Sequence, residues 1–166
     1  NKPEKSLLLS ITRQESNFDT TARSPVGARG LMQLMPATAK AISRQLRIQY
    51  DRDALTQNPA YNIELGSKYL GDLINQFDGS YIMAIAGYNA GPHRVRRWVK
   101  KFGDPRKPGI DPIDWIEQIP FTETRNYVQR VMENLQVYRA VIANSQQIAQ
   151  TLPKDLSRNG GWELQT

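Results

Sequence analysis

The apolar residues of the chain recur every three or four positions, which is the period of an α-helix. In a first predicted helix over residues 4–17, Leu8 and Ile11 lie on one stripe, and Glu15 lies on the same stripe. A glutamate that faced water would lie on the opposite side of this helix. We therefore expect the Glu15 carboxylate to be partly shielded from solvent.

Proline, glycine and aspartate residues mark the ends of the later helices. Proline suits the first turn of a helix, and glycine suits the left-handed residue that follows the last turn. We expect a polar loop over residues 51–58 and a turn-rich connection over residues 104–111. The predicted helices run from Pro36 to about Leu46, from Asn58-Pro59 to Phe77, from Tyr81 to Tyr88, from Pro92 to Gly103, from Asp111-Pro112 to Gln118, and from a Thr122 cap to about Ala149.

The same period predicts which helix faces are buried. The helix from Tyr81 to Tyr88 is apolar nearly all round, so we expect it to be the most buried one. No sustained alternation of apolar and polar residues indicates a sheet, although residues 26–35 are compatible with short strands. The chain is therefore predicted to be all-α with at most a minor β element. The buried faces of the two longest helices are expected at Ile63, Leu70, Leu73, Ile74 and Phe77, and at Val128, Val131, Leu135, Tyr138 and Ile142.

Length and composition indicate one soluble globular domain. The chain has 166 residues, of which 39% are hydrophobic and 23% are charged. We place the domain at residues 1–150 and a C-terminal tail at residues 151–166, where the helical period has faded. No apolar run approaches the ~20 residues of a membrane-spanning helix. The chain begins at Asn1 without a signal-peptide pattern, which indicates a mature protein or a part of a longer one.

Several classes of chemistry are excluded by the residue types present. Without cysteine, the chain has no disulfide, no thiolate nucleophile and no cysteine-ligated metal. His93 is the single histidine, and no cluster of Asp or Glu accompanies it, which argues against a catalytic triad and a zinc site. Neither a phosphate-binding Gly-Lys-Ser/Thr loop nor a dinucleotide fingerprint occurs. What remains is carboxylate chemistry without a metal or another cofactor.

The net charge of +6 favours an anionic partner. Many of the positive residues are concentrated in one run, with Trp98 inside it. Such a run is compatible with nucleic-acid binding, but no helix-turn-helix spacing or RNA-binding aromatic signature accompanies it. We favour a solvated helix face that also attracts an acidic polymer. The run consists of Arg94, Arg96, Arg97, Lys100, Lys101, Arg106 and Lys107.

Glu15 is the candidate catalytic acid. A carboxyl group on an apolar stripe is desolvated, which raises its pKa and favours the protonated form near neutral pH. Such an acid can donate a proton to a glycosidic oxygen, as a glutamate does in lysozyme. The alternative is a glutamate at a helix end that pairs with Arg13 or Arg29.

Two polar turns are candidates for contacts with a sugar. In residues 27–33, glycines permit close approach of the backbone, and Gln33 offers both a donor and an acceptor. An ordinary turn between helices is the alternative for this segment. In residues 88–92, Tyr88 is able to direct its hydroxyl group at the acid, whereas Asn89 either caps backbone groups or contacts substrate.

Motifs along the chain resemble those of the lytic transglycosylases. The first three are Glu15-Ser16, then Ser24-Pro25-Val26-Gly27-Ala28 with Gly30-Leu31-Met32-Gln33-Leu34-Met35-Pro36, then Tyr88-Asn89-Ala90-Gly91. The soluble branch of that family is similar at Ile119-Pro120-Phe121, Glu123-Thr124-Arg125 and Tyr127-Val128. The resemblance extends roughly from Leu7 to Tyr138, and several motifs in the right order are far more specific than any one alone.

The resemblance implies a compact multi-helix, goose-lysozyme-like domain that cleaves the β-1,4 bond between N-acetylmuramic acid and N-acetylglucosamine in peptidoglycan. Family members form a 1,6-anhydromuramoyl end instead of hydrolysing this bond. Glu15 matches the single acid, which protonates the leaving oxygen and then accepts the proton of the muramoyl C6 hydroxyl group. No second carboxylate is required. The residues implied to line the substrate groove are Ser24, Gln33, Met35, Tyr88, Glu123 and Tyr127.

The resemblance also implies a setting for the chain. Its partner would be the peptidoglycan glycan strand, with no nucleic acid, no membrane span and no metal, and it would act as a monomer in the periplasm beside other cell-wall machinery. Three other readings stay open at this point. They are a muramidase that hydrolyses the bond with water, a non-catalytic cell-wall-binding module, and a basic nucleic-acid-binding helical domain.

Overall fold

The regular structure of the chain is helical. The computed structural model describes residues 2–143 and 155–156, and β structure in this part is limited to isolated bridges that pair Arg29 with Arg23 and with Leu34. This confirms the prediction of an all-α fold with at most a minor β element. The helices are α1 (Lys5–Ser16), α2 (Pro36–Leu46), α3 (Ala54–Gln57), α4 (Pro59–Gln76), α5 (Tyr81–Ala90), α6 (Pro92–Phe102), α7 (Pro112–Glu117) and α8 (Thr122–Ala143).

The first of two units ends at Gly71, within α4. α1 ends because Asn17 adopts a left-handed conformation with a φ of 50°, and its amide donates to the Arg13 carbonyl at 2.9 Å. The buried stripe predicted for α1 is confirmed at Ile11, which is fully buried. Glu15, on the same stripe, is half-buried. The core of this unit includes Leu7, Ile11, Met32, Leu34, Leu55, Leu65 and Leu70.

The second unit begins at Asp72 and is built around α5. Every residue from Tyr81 to Gly87 is buried, which confirms that this helix is the most buried of those described. α5 packs against α6 and α8, and α7 packs against α8. Gly87 permits close packing, because a Cβ there would lie 3.1 Å from the ring of Phe77. An apolar helix is therefore surrounded by the amphipathic ones.

Most of the predicted helix ends within the described residues are confirmed, whereas the end expected near Ala149 lies outside them. Gly79 has a φ of 88°, and its amide donates to the Ile74 carbonyl at 2.8 Å, as expected of a residue that closes a helix. The Asp111 side chain accepts from the amides of Ile113 and Asp114 at the start of α7. These signals act within one helical turn, so the local sequence is enough to predict them.

Some expectations for this part of the chain are wrong. Ile63 is 40% exposed, because its polar neighbour Asn62 takes the buried position on α4 instead. Ile142 is 49% exposed, because α8 has 22 residues and outruns the 10-residue α5 against which it packs. The loop expected over residues 51–58 contains α3, and Thr122 is the first residue of α8 rather than its cap.

The predicted tail, residues 151–166, lies outside the described residues except for Asp155 and Leu156. The Asp155 carboxylate accepts from the Gln136 amide at 3.1 Å and forms an ion pair with Arg139. The division into a domain at residues 1–150 and a tail therefore stays a prediction. Among residues that the structure describes, no helix combines the length and the apolar character that crossing a membrane requires.

Replacing Asp111 tests the helix cap of α7. Asp111→Ala removes the side-chain acceptor for two amides and is expected to lower the free energy of unfolding by about 1 kcal/mol. Asp111→Asn retains an acceptor oxygen and is the matched control. Urea unfolding followed by circular dichroism measures both changes, and equal stability of the two variants would contradict the assigned cap.

Candidate active site

The loop over residues 22–34, here called the site loop, is held by short hydrogen bonds. The Ser24 hydroxyl accepts from the Ala28 amide at 3.0 Å, and the Ser24 amide donates to the Ala28 carbonyl at 3.0 Å. Gly27 lies between them with a φ of 96°, a conformation that residues with a Cβ rarely adopt. The predicted site residue Ser24 is half-buried and shapes this turn with its own side chain.

Gln33 also stabilises the site loop. Its side-chain nitrogen donates to the carbonyls of Ala22 at 3.1 Å and Gly30 at 2.9 Å. Within the described residues, its side-chain oxygen accepts no hydrogen bond, so this oxygen is the part of the amide left for a substrate donor. Met35 follows the loop just before α2 and is 41% exposed, so part of this residue is available for an apolar contact.

Asn62 on α4 anchors the site loop through hydrogen bonds to its backbone. The sequence patterns do not indicate this role. Its side chain is fully buried. Its oxygen accepts from the Met32 amide at 2.9 Å, and its nitrogen donates to the carbonyls of Arg29 and Leu55, each at 2.9 Å. Gly30 makes this approach possible, because a Cβ there would collide with the Leu55 carbonyl and the Asn62 amide.

Glu15 lies in the last turn of α1, which is bonded to the site loop. The neighbouring Ser16 hydroxyl donates to the Leu31 carbonyl at 2.8 Å and contacts the Thr12 carbonyl at 3.2 Å. The structure therefore brings together the helix end that carries Glu15 and the loop that carries Ser24 and Gln33. A half-buried carboxylate on a rigid helix end is suited to proton transfer.

The second unit brings together the other predicted site motifs. Tyr88 is half-buried in the last turn of α5, Glu123 is exposed in the first turn of α8, and Tyr127 is 5% exposed one turn further. The Thr124 hydroxyl donates to the Asn89 side-chain oxygen at 2.7 Å. Thr124 is 2% exposed, so this bond is sheltered from water. Asn89 thus joins α5 and α8 through its side-chain oxygen, a contact that the sequence did not predict.

The residues before Glu123 are fixed in the same way. The Arg125 guanidinium donates to the Ile119 carbonyl at 2.8 Å and to the Thr122 hydroxyl at 3.2 Å. These bonds satisfy backbone and side-chain acceptors at the turn that precedes α8. Arg125 therefore has a structural role next to the candidate site residues, which the motif alone does not reveal.

The chemistry available in the described residues is acid–base and polar recognition. No group of three or more His, Asp or Glu side chains within them could hold a metal ion, so no metal centre is assigned there. In the first unit the titratable group among the candidates is Glu15, and in the second it is Glu123 together with the two tyrosines. Amide and hydroxyl groups beside a carboxylate are the donors and acceptors that a sugar requires.

Comparison with known families matches most of the chain. The model of the transglycosylase SLT domain family matches residues 1–108, and that of the soluble lytic transglycosylase helical domain matches residues 118–147. The soluble lytic murein transglycosylase of Escherichia coli (strain K12) is 40% identical over 135 residues, which are 81% of this chain. The chain spans 20% of the length of that relative.

Solved structures agree with the sequence matches. The crystal structure of the 70 kDa soluble lytic transglycosylase from Escherichia coli superposes with a TM-score of 0.81 at 37% identity, covering 91% of this chain and 24% of that one. An inactive glutamate-to-glutamine mutant of the lytic transglycosylase Slt from Pseudomonas aeruginosa gives a TM-score of 0.75 at 43% identity, covering 87% of this chain and 23% of that one.

Removing the Asn62 amide tests its role as the anchor of the site loop. Asn62→Ala leaves the Met32 amide and two buried carbonyls without partners, and is expected to lower the free energy of unfolding by about 3 kcal/mol. Ile63→Ala at the exposed neighbouring position should change it by less than about 0.5 kcal/mol. Urea unfolding measures both variants, and a mild effect of Asn62→Ala would refute the anchor.

The bond between Thr124 and Asn89 is testable by a double-mutant cycle. Thr124→Val and Asn89→Ala should each destabilise the protein by about 1 kcal/mol, and their combination by clearly less than the sum, because both remove one buried bond. Thr124→Ser retains the hydroxyl group and serves as the control. Thermal unfolding at matched pH gives the coupling energy, and strict additivity would show that the two side chains act independently.

Proposed function

Because the chain belongs to the transglycosylase SLT family, we propose that it is a peptidoglycan lytic transglycosylase. It would cleave the β-1,4 bond between N-acetylmuramic acid and N-acetylglucosamine and leave a 1,6-anhydromuramoyl end. The family match over residues 1–108 supports the reaction class, and the match at 40% identity to a murein transglycosylase supports the substrate. Residues 1–150 would form the catalytic domain.

Glu15 is proposed to serve as acid and then as base. As an acid it gives its proton to the bridging oxygen, the bond from that oxygen to the muramoyl C1 breaks, and N-acetylglucosamine leaves. The resulting carboxylate then accepts the proton of the muramoyl C6 hydroxyl group, whose oxygen bonds to C1. The proton count closes without water, and Glu15 returns to its protonated form.

One observation carries this assignment. The Ser16 hydroxyl ties the end of α1 to the Leu31 carbonyl at 2.8 Å, so Glu15 sits beside the site loop on a fixed helix end. A catalytic acid must be held in position in this way, since its proton transfer depends on distance. A glutamate-to-glutamine mutant of the Pseudomonas aeruginosa relative is inactive, which supports an essential glutamate here.

A second carboxylate is not needed in this scheme. Most glycosidases use two acidic residues, the second as nucleophile or as base toward water. In the proposed reaction the acetamido group of the muramoyl residue stabilises the positive charge that develops at C1, and the C6 hydroxyl group replaces water. Glu123 is exposed in the second unit, and we assign it to binding rather than to bond cleavage.

The remaining candidates are proposed to bind the glycan strand. Gln33 would accept from a sugar donor with its side-chain oxygen, and Met35, which is 41% exposed, would cover an apolar sugar face. Ser24 supports the turn beside them. Tyr88, Glu123 and Tyr127 would line the groove for the strand, and Tyr127, which is 5% exposed, would offer only a small surface to it. A monomer acting in the periplasm, beside other cell-wall enzymes, fits this substrate.

Replacing Glu15 tests the proposed acid. Glu15→Gln keeps the size and polarity of the side chain but cannot donate the proton, so turnover of purified peptidoglycan should fall about 10²–10⁴-fold. Binding to insoluble peptidoglycan should be retained. Glu64→Gln, at an exposed position of the same unit, is the matched control and should keep full activity. Unchanged turnover in Glu15→Gln would instead indicate a binding module.

The products distinguish transglycosylation from hydrolysis. Mass spectrometry of digested peptidoglycan should give muramoyl ends that are one water lighter than reducing ends, because the C6 hydroxyl group displaces the leaving sugar. Digestion in ¹⁸O-labelled water should leave these ends unlabelled. Reducing ends that carry the label would show that the chain is a hydrolytic muramidase and would overturn the proposed reaction.

A further inference from the structure

The positive charge of the second unit is concentrated on one helix. Residues 79–103 contain no Asp or Glu, and the five Arg and Lys residues in this stretch all lie on α6. The side chains of Arg96, Arg97, Lys100 and Lys101 are exposed, and we call these four residues the basic face. Its residues lie within about 10 Å along the helix axis, given the 1.5 Å rise per residue.

The basic face is not explained by the stability of α6. Arg96 and Lys100 are four residues apart, as are Arg97 and Lys101, so like charges are neighbours on the helix surface and repel. The two lysines lie in the last turn, where positive charge is favourable because of the helix dipole. The two arginines lie in the middle of α6, where that benefit has faded. Their presence calls for a partner outside the helix.

The described part of the chain supplies no such partner. None of the four side chains forms an ion pair or hydrogen bond with a carboxylate there. The nearby Arg106 contrasts with them, because it pairs with Asp104 at 2.7 Å and also with Asp78. The Arg106 guanidinium lowers the pKa of Asp104, as expected of a formed ion pair. The fold thus neutralises Arg106 but leaves the basic face open to solvent.

The opposite side of α6 is firmly packed. Val95 is fully buried and Trp98 is 6% exposed. The rings of Trp98 and Phe121 form a T-shaped pair with centroids 5.6 Å apart. The Arg94 guanidinium lies 5.1 Å from the Phe121 centroid and donates to the Ala90 carbonyl at 3.0 Å. Ala90 belongs to the Tyr88 motif and Phe121 precedes Glu123. The basic face is therefore presented from a helix that is bonded to both candidate site motifs of this unit.

We propose that the basic face binds the carboxylates of the peptide stems that peptidoglycan carries. This inference rests on the proposed function, since it assumes that peptidoglycan is the polymer bound. The stems repeat along each glycan strand, so one strand offers many carboxylates. Arginine binds carboxylates through two parallel hydrogen bonds, and a cluster of cations raises the rate at which an anionic polymer is captured.

Burial of the apolar side of α6 argues against two other anionic partners. A helix that binds a membrane surface inserts its apolar face among the lipids, but Val95 and Trp98 are already packed in the core. Nucleic-acid binding by stacking requires an accessible aromatic ring. The rings inside this basic run are the buried Trp98 and the half-buried Phe102, and the Lys101 ammonium group already lies 5.2 Å from the Phe102 centroid. Four exposed charges on a helix that buries Val95 and Trp98 fit a flexible, carboxylate-bearing polymer better.

The test compares two charge-matched variants in a Glu15→Gln background, which keeps the substrate intact. Arg96→Gln/Lys100→Gln removes two charges from the basic face. Lys40→Gln/Arg44→Gln removes the same two residue types, at the same spacing, from exposed positions of α2. Sedimentation with insoluble peptidoglycan at low salt should show about five- to tenfold weaker binding for the α6 variant and little change for the α2 variant.

Chemical neutralisation of the substrate completes the cycle. Converting the carboxylates of peptidoglycan to methylamides should weaken the binding of the protein with an intact basic face to the level of the α6 variant. The binding of the α6 variant itself should not change. The difference between the two proteins should vanish as salt is raised to several hundred millimolar. The proposal would be overturned if the α6 and α2 variants lost the same amount of binding. It would also be overturned if the α6 variant still bound more weakly than the protein with an intact basic face after the carboxylates of peptidoglycan had been amidated.

Other anionic partners are tested in the same assay. Duplex DNA and vesicles containing phosphatidylglycerol should bind the protein less tightly than peptidoglycan at the same ionic strength; tighter binding to either, lost in the α6 variant, would overturn the proposal. Product analysis with active protein separates this outcome from the proposed reaction. If the protein forms anhydro products but the α6 variant binds as tightly as the protein with an intact basic face, only the role of the basic face is refuted. If the protein cleaves no peptidoglycan, the proposed reaction is refuted.

Discussion

The buried amide of Asn62 is the interaction on which the first unit depends. A loop cannot be buried unless its backbone groups find partners, because each unsatisfied buried amide or carbonyl costs about 1–3 kcal/mol. Asn62 supplies three partners at once, to the Met32 amide and to the carbonyls of Arg29 and Leu55. Gly30 makes room for the Asn62 amide, and Gly66 makes room for the Met32 side chain, with which a Cβ at Gly66 would collide. Amide and glycines together place the site loop on α4.

In the second unit, the candidate residues are held in place by an apolar helix and one polar contact. α5 is buried along nearly its whole length, so its position is determined by packing against α6 and α8. Its last turn, which carries Tyr88, is oriented by the sheltered bond from Thr124 to Asn89. In both units, a buried polar side chain next to the candidate residues helps to hold them, and in the first unit Ser24 and Gln33 add hydrogen bonds of their own. Such support limits the motion of the groups that we propose to bind a sugar in a defined geometry.

Charge follows a different rule from packing in this chain. Arg106, Arg125 and Arg139 each meet acceptors that the fold provides, and each contributes to the structure. The four side chains of the basic face form no ion pair and no hydrogen bond among the described residues, although α6 itself is well anchored through Val95 and Trp98. Internal ion pairs stabilise local geometry, whereas charge left in solvent acts over a distance comparable to the Debye length of about 8–10 Å. Part of the net charge of +6 therefore lies on side chains in solvent, where it can attract an anionic partner.

The sequence by itself determined the helix ends, the most buried helix and the place of Glu15 on α1. These features depend on residues within one or two turns, such as Gly79, Asp111 and the apolar run of α5. Only the tertiary structure decided which side of α4 is buried, since Asn62 faces inward there to bond a loop about 30 residues away, and Ile63 is left exposed. The same holds for the contact of Thr124 with Asn89, 35 positions apart. Periodicity measures apolar character along one element, so it does not register a polar side chain that is buried because a distant backbone needs a partner.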